Sequence, residues 1–149
     1  KTGRNDIVAS KVARDNQKIY FYVETVQKLT SQSDKNWMML LIDTDRDKST
    51  GWNGYDFIVN RVSPKDNRAF VEKNVGGRWD WETVGSARLA VNFNKLELEI
   101  SKNTLGVNDL IDLEFKWNDN MQENGNIMDF YVNGDTAPGG RFNFVYSIK

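Results

Sequence analysis

An all-β chain, folded as a β-sandwich or a closed barrel, is the fold class this sequence predicts. Three observations predict it. Aromatic residues make up 12% of the chain, with 5 Trp, 5 Tyr and 8 Phe. Helix-forming runs are sparse. Asn and Gly punctuate short apolar stretches at intervals of about 8–12 residues. A length of 149 residues suits one domain at roughly 150 residues per domain, and no linker, repeat or low-complexity tract divides 1–149.

The elements follow in order. Asp6–Asp15, with Ile7, Val8, Ala9, Val12 and Ala13, reads as a first strand. Lys18–Val26 sets Tyr20, Tyr22 and Glu24 against Ile19, Phe21 and Val23, the period-two pattern of a half-buried strand. Asn36–Ile42 is a continuous apolar run, which fits a central strand covered on both faces. Tyr55–Val62 and Ala69–Val75 are the next strands. Gly76-Gly77 then signals a hairpin whose returning partner is Trp79–Val84. Arg88–Phe93 alternates again, as does Leu96–Ile100 with Glu97 and Glu99 opposite. Asn103–Gly106 suits one helical turn, Asn118–Asn126 a polar loop, and Leu110–Trp117 and Phe142–Ser147 the closing strands. Pro64 and Pro138 both fall in loops.

Composition narrows function. Twenty Lys and Arg against 21 Asp and Glu give a net charge of −1, with no basic footprint for nucleic acid and no polybasic membrane patch. No stretch of about 18 apolar residues spans a bilayer. With no Cys and no His, the chain by itself has no disulfide, zinc finger, thiol nucleophile, Ser-His-Asp triad or His-ligated metal. Chemistry rests on Asp, Glu, Lys, Tyr and Arg, and a metal would be bound by oxygen, which favours calcium or magnesium. Beginning at Lys1 without Met or a signal peptide, the sequence reads as a mature or excised fragment.

The most informative segment is Asp43-Thr44-Asp45-Arg46-Asp47-Lys48-Ser49-Thr50-Gly51-Trp52. Its three carboxylates, Asp43, Asp45 and Asp47, stand at alternate positions directly after a buried strand, and a curled loop can aim alternate oxygens at one point. Calcium takes six to eight oxygens at ~2.3–2.6 Å, and Ser49, loop carbonyls or Asp56 can complete the shell. An EF-hand is excluded, because Lys48 and Gly54 stand where Gly and Glu are needed. The alternative is a polar turn whose Asp side chains cap backbone amides.

Among the aromatics, Trp79 and Trp81 share one strand face with Arg78 and Asp80 interleaved. Flat exposed rings flanked by polar groups are what sugar binding needs; the alternative is that these rings fill the core. Trp37 reads as core, Trp52 as a clamp on the acidic loop, and Trp117 as either. Glu97 and Glu99, ~7 Å apart on one strand, read as an ordinary solvent face rather than a hydrolytic pair, which comes from different strands.

Several motifs then combine. Ile42-Asp43-Thr44-Asp45, Ser49-Thr50-Gly51-Trp52 and Gly54-Tyr55-Asp56-Phe57 resemble a stretch of family 9 carbohydrate-binding-module-like domains, also called DOMON-like. Lys18–Val23 resembles their early strand. Leu96–Ser101 with Leu105-Gly106 resembles a later element, with Ser101 where the family usually has Pro. Phe115–Asn120 and Gly134–Pro138 resemble the closing segments of a subset from polysaccharide-degrading bacteria. The resemblance implies a jelly-roll-like β-sandwich and a noncatalytic role beside a glycoside hydrolase, in an extracellular, cell-surface or periplasmic setting. It also implies calcium near the acidic loop in some members. The paired sugar-gripping Trp rings of family 9 modules map onto no position here, and the haem-binding branch relies on Met and His, of which this chain lacks His.

The leading expectation is therefore a carbohydrate-binding accessory module, calcium-stabilised, whose partners are a poly- or oligosaccharide and other domains of a parent protein. The alternative is a structural or protein-interaction β-sandwich domain that binds no sugar. A carboxylate-based hydrolase or lyase ranks third.

Overall fold

A computed structural model describes residues 3–148. In chain order the strands are β1 (Ile7–Arg14), β2 (Lys18–Thr25), β3 (Met39–Asp43), β4 (Phe57–Val59), β5 (Arg68–Asn74), β6 (Trp81–Asn92) and β7 (Lys95–Ser101). After the helical turn α1 (Lys102–Leu105) come β8 (Asp112–Asp119), the short helix α2 (Ile127–Val132), β9 (Asp135–Ala137) and β10 (Phe144–Ser147). The chain is all-β as expected. Its strands form one antiparallel sheet in the order β1-β2-β7-β6-β5-β4-β3-β8-β10, with β9 also pairing β8. The sheet curls into a near-barrel, and β1 comes back into contact with β9, where the Ile7 N–H donates to the Asp135 carboxylate.

Alternation decides which side faces in. Ile19, Phe21 and Val23 of β2, Leu96, Leu98 and Ile100 of β7, and Leu40 and Ile42 of β3 all point into one core. That core also holds Trp37 and Trp117, so Trp37 is core as expected and the open question about Trp117 resolves to burial. The continuous apolar run of β3 is buried on both faces, as predicted. Its other side, Met39 and Leu41, packs into a second cluster on the outside of the sheet, with Trp52, Tyr55, Ile58, Met121 and Phe130.

Several boundaries differ from expectation, among them that of the Tyr55–Val62 strand, which shortens to Phe57–Val59. β3 begins at Met39 rather than Asn36, because Asn36 and Met38 have φ of 53° and 42°, which breaks extended geometry. Trp79–Val84 and Arg88–Phe93 are not separate strands; β6 runs through Gly85 and Ser86. A bulge lets it do so: Val71 pairs with Gly85 while Glu72 pairs with Thr83, which leaves Val84 as the extra residue. β8 extends through Asn118 and Asp119, into the segment expected to be loop. Finally, α2 and β9 form where no element was expected. Asn126 starts α2 by accepting from the N–H groups of Met128 and Asp129.

Candidate functional site

The acidic loop leaves β3 at Asp43, whose side chain is fully buried. Asp56 returns beside it because the chain doubles back through a bridge between Trp52 and Tyr55. Gly51 makes that turn possible. Its φ is +68°, and a Cβ there would stand 2.2 Å from the Tyr55 carbonyl oxygen. The result gathers Asp43, Asp45 and Asp56, one carboxylate oxygen of each lying within 4.8 Å of the others. Asp47 and Ser49, both expected at the ion, engage each other instead: Asp47 Oδ1 accepts from the Ser49 N–H at 2.8 Å and its hydroxyl at 2.6 Å. Backbone capping describes all four carboxylates, since Asp43, Asp45 and Asp56 also accept from the N–H groups of Asp45, Asp47 and Thr44, at 3.3, 3.0 and 2.9 Å; three of the four also cluster.

Local donors set the electrostatics. Burial, together with the neighbouring Asp45 carboxylate, pushes Asp43 up to about 6, while Lys48 opposes it. Burial also raises Asp56. Burial works against the charge on Asp45 too, yet the Thr50 hydroxyl at 2.7 Å and the Asp47 N–H at 3.0 Å hold it below its ordinary value. Carboxyls this close resist joint ionisation, and a proton or a cation relieves them. Lys48 reaches in from solvent, its Nζ 3.4 Å from Asp43 and 3.4 Å from Glu114. The all-oxygen donor set fits a hard divalent cation, with the Thr44 hydroxyl, 3.2 Å from Asp56, at its edge.

Asp45 and Asp56 open onto a cleft of about 450 Å³ that Lys73, Asn103 and Thr104 also line. Sequence reasoning missed this neighbourhood, because β5 and α1 carry no local sign of meeting the loop. Gly85 permits it: a Cβ there would lie 2.9 Å from Thr104 Cγ2. The missing side chain at the β6 bulge is what lets α1 approach.

The predicted aromatic pair stands at the β5–β6 hairpin. Trp81 opens β6, but Trp79 lies in the turn before it, not on the strand. The two rings meet edge to face at 5.3 Å rather than side by side. Trp79 also meets Trp52 edge to face at 4.6 Å. Both rings are half-buried against the outer cluster, and the Trp81 indole N–H is enclosed without a hydrogen-bond partner. Arg78 and Asp80 are exposed and face each other at 3.7 Å. Trp52, expected to clamp the loop, is buried at the centre of this group, 5.6 Å from Phe130. Glu97 and Glu99 lie on the outside of β7, where Lys18 holds Glu99 at 2.8 Å.

Beneath the group lies Lys116, fully buried. Its Nζ donates to the carbonyls of Pro138, Gly140 and Phe142 at 2.5, 2.7 and 2.8 Å, and so ties the loop before β10 to β8. Set beside known proteins, the chain matches no family model, no curated protein and no solved structure.

Proposed function

We propose that this chain is a noncatalytic carbohydrate-binding accessory module, a jelly-roll-like β-sandwich of the family 9 carbohydrate-binding-module-like kind. Calcium held by Asp43, Asp45 and Asp56 pins its acidic loop. The module serves a larger glycoside-hydrolase-type protein in an extracellular, cell-surface or periplasmic setting. The observation that supports this reading is the half-exposed Trp79–Trp81 pair between exposed Arg78 and Asp80. Ring surface beside hydrogen-bonding side chains is the chemistry that takes up a pyranose.

Titration of the domain with a glycan panel, followed by Trp fluorescence in calcium and again in EDTA, tests it. The expected result is a saturable change that Trp79→Ala or Trp81→Ala abolishes and that weakens in EDTA. Silence from every glycan, together with a melting temperature indifferent to EDTA, overturns both the sugar site and the metal site.

The competing reading, a structural or protein-interaction domain that binds no sugar, draws on one further observation. Trp79 is wedged between Trp52, Trp81 and the backbone at Gly125, where a Cβ would stand 2.9 Å from the Trp79 Cβ. On that reading Trp79→Ala lowers stability and changes no glycan response.

A further inference from the structure

The four methionines of the chain divide by exposure. Met38 and Met39 are fully buried and Met121 is 2% exposed, whereas Met128, on α2, is 50% exposed. Met128 also has a particular neighbour: the Arg141 Nη2 donates to its Sδ at 3.7 Å. A thioether is a weak acceptor, and a guanidinium carries five N–H donors. Among the described residues, Arg141 otherwise engages only the Tyr131 ring, whose centroid is 5.7 Å from its Cζ. A permanently charged donor group thus faces an accessible sulfur, and no carboxylate holds it.

The contact joins two segments. Met128 and Tyr131 belong to α2, whose Phe130 lies against Trp52 and Tyr55. Arg141 belongs to the loop whose carbonyls the buried Lys116 ammonium holds. Oxidation of the sulfur changes what Arg141 faces. A sulfur lone pair attacks one oxygen of a peroxide and the O–O bond breaks. The sulfur, oxidised by two electrons, keeps that oxygen as a sulfoxide, and the other oxygen leaves as water. The sulfoxide oxygen is a polar acceptor on the atom that Arg141 already approaches, and a hydrogen bond from a charged donor is among the stronger kinds. In a core, a sulfoxide disrupts packing. Burial shields Met38, Met39 and Met121 from that change, while Met128 can put its new oxygen at the surface, where a reductase can also reach it.

We infer that Met128 is a reversible oxidation site with a peroxide as its oxidant, and that Arg141 receives the sulfoxide and so fastens the 138–142 loop to α2. The oxidised chain is the one in which these two segments are held more firmly. This inference requires neither the carbohydrate reading nor the metal reading of the chain.

The test treats the full chain, Met128→Leu and Arg141→Ala with graded hydrogen peroxide. Peptide mapping by mass locates the oxygen, and hydrogen exchange follows residues 139–143. The expected result is that the first oxygen goes to Met128, with Met38, Met39 and Met121 unmodified and the near-ultraviolet circular dichroism unchanged. Exchange of residues 139–143 should then slow roughly tenfold, and methionine sulfoxide reductases should restore the starting rate. Arg141→Ala should take up the oxygen at Met128 without the slowing, and Met128→Leu should show neither. A first oxygen on a buried methionine overturns the site. Exchange that is unchanged or faster after oxidation, or a slowing that persists in Arg141→Ala, overturns the role of Arg141. A sulfoxide that the reductases leave in place on the folded chain overturns the reversibility.

Discussion

The covered and open halves of the outer sheet face show what a strand's outward residues decide. Over β3 and β4 the outward side chains are Met39, Leu41 and Ile58, all fully buried. They cannot be left in water cheaply, so the 44–56 loop, α2 and the β5–β6 hairpin fold over them. Over β2 and β7 the outward residues include Tyr20, Tyr22, Glu97 and Glu99, which tolerate solvent, and among the described residues no segment folds over them as the loops do over β3 and β4. Both halves share the same inner core. The outer half alone therefore determines where loops are recruited and where surface stays free.

The largest expected effect breaks the covered half. Leu41→Ala removes a fully buried side chain from the outer cluster and should cost about 2–5 kcal/mol, or roughly 10 °C in Tm. A loss in thermal denaturation no greater than that of Tyr22→Ala would show that the cluster is not a core. Gly51→Ala comes next. It puts a side chain at φ +68° and against the Tyr55 carbonyl, and should cost about 1–3 kcal/mol. Near-ultraviolet circular dichroism should lose Trp52 signal while the far-ultraviolet strand spectrum persists.

Asp43 supplies a pH-dependent test of the same half. Its folded value, raised to about 6 from 3.8, means the folded state binds more protons than the unfolded state between these limits. Stability therefore falls as pH rises through that window and levels off above it, by roughly 1–3 kcal/mol in EDTA. Asp43→Asn should flatten the trend. Calcium, which favours the ionised carboxylates, should flatten it too if it binds, and denaturation midpoints from pH 4 to pH 7 with and without calcium read both. The smallest effect belongs to the open half: Tyr22→Ala should cost about 1 kcal/mol or less, and a larger loss in the same melts would mean the face is structural.

How far the sequence revealed this molecule follows the same division. β2, β7 and β3 were legible because period-two alternation and unbroken apolarity each report a face directly. The turn of α1 was legible from its Asn-Thr-Leu-Gly ending, and Gly106 indeed takes φ 65° there. The bulge that makes β6 one strand was hidden, since Gly85-Ser86 looks like a break in any linear reading. α2 was hidden because its stability comes from Phe130 packing on Trp52 and Tyr55, partners more than seventy residues away. In the acidic loop, spacing alone suggested Asp43, Asp45 and Asp47 as equals. The Asp-Lys-Ser turn that sends Asp47 to Ser49, and the doubling back that brings Asp56 in, depend on backbone conformation. The open tyrosine face was visible as a pattern in Lys18–Val26, but its neighbours Lys11 and Glu97 meet it only through strand pairing.

The order of pairing in the sheet carries a consequence for how the chain reaches this state. From β3 to β7 each strand pairs with the next in sequence, a run of hairpins that can close early. β2 must wait for β7, and β3 for β8, as Phe21↔Leu98 and Leu41↔Lys116 show. Loop-closure entropy makes such distant pairings slow. At a synthesis rate of about 5–20 residues per second, β2 emerges roughly 4–15 seconds before the end of β7 does. During that interval the Ile19, Phe21 and Val23 face of the β1–β2 hairpin has nothing to lie against, so the nascent chain's exposed liability is a strand face that, once folded, is fully buried.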